Sequence, residues 1–266
     1  MTSKSEPRLN SRRSQARRAS KFELSFVRHL QRQLEERPPA TKGKRTRERI
    51  KIAAATVMSE HGYHAMRLSD VTDAAGVAEG SFYVYFRDKR QVARVVLTQF
   101  LTGFFPREVQ LSRTPFASIR SWNRRWLSVC RANVGLMRCM LQLSDERPEF
   151  ARLLHWTNGR WCRRIAASVV RRHRPASVRG DAALLAAYLL TGMMDDLVRR
   201  LVVYPDRGFA RAARSLAADD AEIADAATII WMRALYPRSA LREPLRGAAA
   251  ALRALGSGRS SRSAKV

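Results

Sequence analysis

Apolar residues recur at three- and four-residue spacing from Phe22 to Tyr236, and no segment shows strict alternation of apolar and polar positions bounded by turn residues. The pattern predicts an all-α chain. In residues 45–61, Ile50, Ala53, Ala54, Val57 and Met58 form one stripe, Arg47, Glu48, Lys51 and Glu60 face away, and Gly62 closes the helix. A second helix is expected from near Ser69 through Val71, Ala74 and Ala75 to Gly76, whose missing Cβ suits a sharp turn. A third, at 78–84, spans one or two turns. Phe82 and Phe86 lie four apart and can anchor it, while Glu79, Ser81, Tyr83 and Tyr85 stay outward. Three short helices so arranged make a helix-turn-helix layout.

Ahead of this unit, Phe22, Phe26, Val27, Leu30 and Leu34 predict a short amphipathic helix over 22–36, stopped by Pro38 and Pro39. Two roles are open for this extension: the helix docks on the body of the protein, or the whole basic arm at 1–43, with Arg12, Arg13, Arg17, Arg18 and Lys42, trails along the DNA backbone. After Lys89 the pattern stays helical. A fourth helix from Asp88 carries Val92, Val95, Val96, Phe100 and Phe104, and Pro115 opens another with Ile119, Trp122, Trp126, Val129 and Cys130 inward. Asn133 is expected to cap the next, which carries Leu136, Met137, Met140 and Leu141. Residues 148–173 repeat the pattern with Arg163, Arg164, Arg171 and Arg172 on the outer face. Two long helices, 181–203 and 218–236, are joined by the connection YPDRGFARAARS. Leu185, Leu189, Met193 and Leu197 on the first, and Ile223, Ala227, Ile230 and Ala234 on the second, exceed what one side of a helix needs. A second buried face needs a second partner. The expected organisation is a basic extension at 1–43, a helix-turn-helix unit at 44–90, a helical body at 91–237 and a basic tail at 238–266.

Composition narrows the partners. In 266 residues, 45% are hydrophobic, enough for a sizeable core, while a formal charge of +27 points to a polyanionic partner. The run at 1–19 is rich in Arg and Ser and poor in large apolar groups and is expected to be disordered; in the tail beyond Pro237, LREPLRGAAAALRAL is able to form a frayed helix and GSGRSSRSAKV is expected to be disordered. No run of about eighteen or more apolar residues exists and no signal-peptide core opens the chain, which leads us to expect a cytoplasmic protein that engages no membrane. Cys130, Cys139 and Cys162 lack zinc-site spacing and read as reduced, buried thiols. With no metal spacing, no glycine-rich phosphate loop and no recognisable nucleophile motif, no enzyme activity and no cofactor are expected.

The run GVAEGSFYVYFRDK resembles the DNA-binding signature of the tetracycline-repressor (TetR) family of bacterial transcription regulators, and the likeness extends from Ile50 to about Leu97. The resemblance implies that Tyr83, Tyr85 and Lys89 hold DNA phosphates and that Ala78, Glu79 and Ser81 face base edges, with Arg45, Arg67, Ser69 and Gly80 completing the expected surface. The chain departs from the family pattern at Arg67, where a small hydroxyl residue more often caps the second helix, so Ser69 is the alternative cap. Implied for the rest are a homodimer joined through its last two long helices and a small-molecule effector held in the body. Trp122, Trp126, Met137, Met140, Trp156 and Met193 are the candidates to line that pocket, against the plainer reading that they are core. Asp195 and Asp196 precede Arg199 and Arg200 by four, which reads either as intrahelical ion pairing or as recognition of a cationic ligand. The expected function is therefore a DNA-binding transcription regulator, in the first instance a repressor released from a double-stranded operator by its effector. The alternative is a basic architectural nucleic-acid-binding protein, which would explain the charge but not the long apolar body.

Overall fold

The computed structural model describes residues 23–104, 114–173, 179–217, 219–239 and 244–255, and its regular structure is helical throughout those residues. The basic runs at 1–19 and 256–266 lie outside them. The helices are α1 (Phe26–Glu36), α2 (Lys42–Ala65), α3 (Leu68–Ala75), α4 (Glu79–Tyr85), α5 (Lys89–Gln99), α6 (Pro115–Ala132), α7 (Val134–Glu146), α8 (Pro148–Arg172), α9 (Gly180–Val198), α10 (Arg207–Leu216), α11 (Asp220–Leu235) and α12 (Gly247–Leu255). Wide π-type turns, Phe100–Phe104 and Arg199–Val203, extend α5 and α9. No helix among the described residues is long and apolar enough to cross a membrane.

Local chemistry sets the helix ends. Thr41 caps α2, and Gly62, at φ 83° and ψ 167°, breaks it one turn before its end. Arg67, not Ser69, stands at the N-cap of α3; its backbone N–H donates to Asp70 Oδ2 at 3.1 Å, the carboxylate half of a capping box, while Ser69 sits inside the first turn. Gly76, at φ 60° and ψ 48°, closes α3 in the left-handed conformation. Asp88 caps α5 by accepting from the Gln91 N–H at 2.7 Å. The connection between the two long helices is itself helical: α10 is capped by Asp206, which accepts from the Phe209 N–H at 3.0 Å. Its Arg and Ala content hid a helix that Pro205 and Gly208 made look like a loop.

The core is organised around α2, which touches α1, α3, α5 and α7. Ile50, Ala53, Ala54, Val57 and Met58 are all buried, as the stripe predicts, but so are Ile52, Ala55 and Lys51. Lys51, expected to face solvent, is only 4% exposed and is ion-paired with Glu48, because α2 is covered on more than one side. The tightest approach is to α7. A Cβ built on Gly135 would fall 1.9 Å from the Ser59 carbonyl oxygen, so the two backbones meet with no room for a side chain. Nearby, the Cys139 thiol donates to the Met58 carbonyl at 3.4 Å. One buried cluster thus runs from Ile50 in the head to Leu143 and Val203 in the body.

The short helix α1 docks on this junction. Phe26 packs against Phe100 and Phe104 at ring separations of 5.3 and 5.4 Å. Asn133 does not cap α7 with its side chain; instead its Oδ1 accepts from the Phe26 N–H and its Nδ2 donates to the Leu24 and Val129 carbonyls, each at 2.7 Å. Elsewhere in the body α8 lies along α9, and α11 lies against α6 and α12. Asp225, 6% exposed, fixes the α6–α11 contact: Arg120 and Arg124 each grip its carboxylate with two bonds of 2.6–2.9 Å. Burial pushes this carboxyl's pKa up, but the two guanidiniums outweigh burial and hold it below the ordinary carboxylate value.

Two expectations follow. Gly135→Ala forces α2 and α7 apart and lowers stability by about 1–3 kcal/mol, read as a fall in thermal midpoint, whereas Gly180→Ala, with open space at its Cβ, does not. Because the pKa of Asp225 is depressed on folding, its contribution is present above the unfolded carboxylate pKa and lost as pH falls through the lower folded value. Asp225→Asn therefore destabilises the protein at pH 7, and acid titration of wild type and variant brings their melting curves together.

Candidate nucleic-acid interface and enclosed cavity

Helix α4 is too short to persist alone, and burial of Phe82 and Phe86 holds it on the head. Arg47 lies over the Phe86 ring at 5.0 Å. What remains outside is a narrow surface: Ala78, Glu79, Gly80, Tyr83 and Val84 are exposed, Ser81 and Tyr85 half-buried, and Phe82 wholly covered. Small groups at its N-terminal end permit close approach to a groove floor. Tyr83, 58% exposed, presents its phenol to solvent, whereas Tyr85 lies against Gly43 at the start of α2, its hydroxyl 3.5 Å from where a Cβ would stand. Val84 is 76% exposed, a free apolar group suited to a thymine methyl.

The turn before α4 is held from α2. Arg49 Nη2 donates to the carbonyls of Ala75 and Gly76, the latter at 3.1 Å, so a guanidinium closes the C-terminal end of α3. Lys89 does comparable work on the other side. Its ammonium donates to the His64 and Met66 carbonyls at 3.4 and 3.3 Å and sits 5.0 Å above the Tyr63 ring. Arg45 Nη1 donates to the Pro39 and Ala40 carbonyls, both at 3.0 Å, bracing the chain that leads into α2.

In the body, α5, α6, α8, α9 and α11 enclose a cavity of about 630 Å³. All five tryptophans of the chain, Trp122, Trp126, Trp156, Trp161 and Trp231, line it, with Thr98, Leu101 and Thr102 from the end of α5. Trp122 stacks on Trp161 at 3.9 Å and lies 6.2 Å from Trp126. Asp195 is on the wall, ringed by protein on most sides though reached by solvent through the mouth, and this desolvation pushes its pKa up to about 6.

The sequence model described as "Bacterial regulatory proteins, tetR family" matches residues 52–96, the stretch that builds α2 to α5. Residues 52–96 thus carry a head of the TetR type. Over 68 residues it is 35% identical to the HTH-type transcriptional repressor KstR2 of Mycolicibacterium smegmatis, an alignment covering 26% of this chain and 33% of that protein. The chain therefore matches about a third of the length of that relative. Over a longer span the likeness is one of fold. Salmonella enterica GusR superposes with a TM-score of 0.56 at 18% identity, covering 74% of this chain and 98% of that one. The fatty acid degradation regulator FadR of Bacillus halodurans does so with a TM-score of 0.52 at 17% identity, covering 75% and 97%.

Within this TetR-type head, the structure gathers Ala78, Glu79, Gly80, Ser81 and Tyr83 on one surface. Arg67 and Ser69 are exposed at the start of α3, while Arg45, Tyr85 and Lys89 have contacts within the protein. Val84 was absent from the expected surface, although helical spacing from Gly80 places it there. Of the residues expected to line the pocket, Trp122, Trp126 and Trp156 do so. Met137 and Met140 do not, being buried in the core shared with α2, and Met193 packs in a second core cluster while its neighbour Met194 takes the cavity wall. Lys89→Ala removes a charged donor from two carbonyls and lowers stability by roughly 1–2 kcal/mol. Tyr83→Phe leaves the melting temperature unchanged, because nothing packs on its exposed hydroxyl. Thermal melts of the two variants check this contrast.

Proposed function

We propose that this chain is a DNA-binding transcription regulator that acts in the cytoplasm as a homodimer on a double-stranded operator and is released from it by a small molecule in the tryptophan-lined cavity. One observation carries the reading: α5 touches both sites. Its first residue, Lys89, grips the His64 and Met66 carbonyls between α2 and α3 in the head, and Thr98, Leu101 and Thr102 near its other end line the cavity. The separation is nine to thirteen residues, or roughly 14–20 Å of helix. A ligand pressing on Thr98 and Leu101 therefore bears on an element whose far end is fastened to the head that carries the recognition helix. The dimer is supported by the free apolar face of α9, where Leu185, Tyr188 and Leu189 are exposed, and by Ile230 and Ala234 on α11. The relatives of the head are named as regulators, and no catalytic role is assigned to any residue.

In this reading Tyr83 meets phosphate, while Glu79, Ser81 and Val84 read base edges from the major groove. Selection of bound sequences from a random duplex pool yields a two-fold site with half-sites about 34–36 Å apart, or a multiple of that. Tyr83→Phe weakens binding without altering the selected sequence, and Val84→Ala alters it. Leu189→Glu abolishes the dimer in sedimentation and lowers operator affinity with it. A monomer that binds the operator at full strength, or a Tyr83→Phe variant with a changed preference, refutes this assignment. Effector coupling of about 1–3 kcal/mol, equal in both directions, is the expected size of release.

A further inference from the structure

Asp195 and Asp196 are adjacent at the end of α9 and have opposite surroundings. Asp196 pairs with Arg199 at 2.5 Å and with Arg200 at 2.6 Å. The Asp195 carboxylate has no ion pair or hydrogen bond among the described residues, and it is the one carboxylate on the wall of a cavity otherwise lined by indoles and aliphatic or neutral polar groups, Arg160 and Arg164 apart. These two arginines do not satisfy it. Both are exposed, with Arg160 lying over Trp156 at 4.7 Å and Arg164 over Trp161 at 5.7 Å. The cavity-lining residues of α5, α6 and α11 are uncharged. The thiols of Cys130 and Cys162 are near enough to feel the Asp195 charge, and burial first, with that charge added, holds them protonated and unable to neutralise it.

A carboxylate reached through the mouth of an indole-lined cavity and left without a partner there is free to pair with a charge that a ligand brings in. A cation supplies one. Indole faces attract cations through their quadrupole, Trp more strongly than the other rings, and all five indoles of the chain are gathered here. The volume of about 630 Å³ suits a drug-sized organic molecule rather than a bare metal ion.

We propose that Asp195 is the counterion for a monocationic ligand, an apolar or aromatic amine in protonated or quaternary form, whose charge pairs with the carboxylate while its body lies among the tryptophans. This assignment rests on the cavity being the effector site and names the class of molecule it takes. The overall positive charge of the chain does not prevent it, since at physiological ionic strength exposed charges are screened beyond about 8 Å.

A matched series tests it on the full-length protein: 4-phenylbutylamine, (4-phenylbutyl)trimethylammonium, 4-phenylbutanol and 4-phenylbutyrate, titrated by calorimetry and tryptophan fluorescence. Both cations bind the wild type at least about tenfold more tightly than the alcohol, a difference of about 1.4 kcal/mol. Asp195→Asn reduces that preference to less than about threefold and melts no lower than wild type at pH 7. In the wild type, affinity for the permanently charged trimethylammonium falls as pH drops through about 6, with the Cys130 and Cys162 thiols, raised by burial, staying neutral across that range; this readout needs no variant. Equal affinity for cation and alcohol, tightest binding of the carboxylate with no response to Asp195→Asn, or no binding of any member at millimolar concentration overturns the proposal. Operator affinity measured in parallel separates the two readings. Cation-selective binding that leaves operator affinity unchanged refutes the effector role and keeps the counterion, whereas release by the alcohol as readily as by the amine refutes the counterion alone.

Discussion

Everything in this molecule depends on the place where α2 and α7 meet backbone to backbone. With Gly135 opposite the Ser59 carbonyl, there is no compressible layer of side chains between the head and the body. The consequence is geometric: α2 cannot shift relative to α7 without losing close packing along a shared core that includes Met58, Leu136 and Met140. In the proposed function, motion that repositions α4 is therefore assigned to the other connection, α5, whose π-type turn at Phe100–Phe104 is the less regular of the two links. One link is a fixed pivot and the other a lever.

The head was largely legible in the sequence because its signals are local. Stripes at helical spacing, Gly76 at a left-handed turn and the Phe82 and Phe86 anchors each follow from residues a few positions apart. What escaped needed long-range information. Lys51 reads as a surface residue until the second layer over α2 is known, and Asn133 reads as a cap until Leu24 and Phe26 arrive beside it from more than a hundred residues away. Arg49 is an ordinary exposed cation in sequence, and only the fold brings the Ala75 and Gly76 carbonyls within its reach.

The cavity shows the same division. Trp122, Trp126 and Trp156 were recognisable as candidates from their size and spacing, yet nothing local separates Met193 from Met194, which differ by one helical step of about 100° and face different clusters. The same step separates Asp195 from Asp196. Both lie four residues before an arginine, so spacing alone gives both an intrahelical partner, but Arg199 turns to Asp196, three positions away. An ion-pair rule that treats the two as equivalent describes one and misses the other.

Helix α1 bears on the lever in a way its peripheral position conceals. Phe26 is wedged against Phe100 and Phe104, the two rings on the last turn of α5, while Asn133 fastens the backbone on either side of it to the fixed helix pair. An axial slide of α5 strips aromatic contact from Phe26 as well as disturbing the α2–α5 packing of the head. In the proposed regulator, the segment before the head would therefore stiffen this link: it is a spring clip whose grip on two phenyl rings a ligand-driven shift of α5 has to loosen.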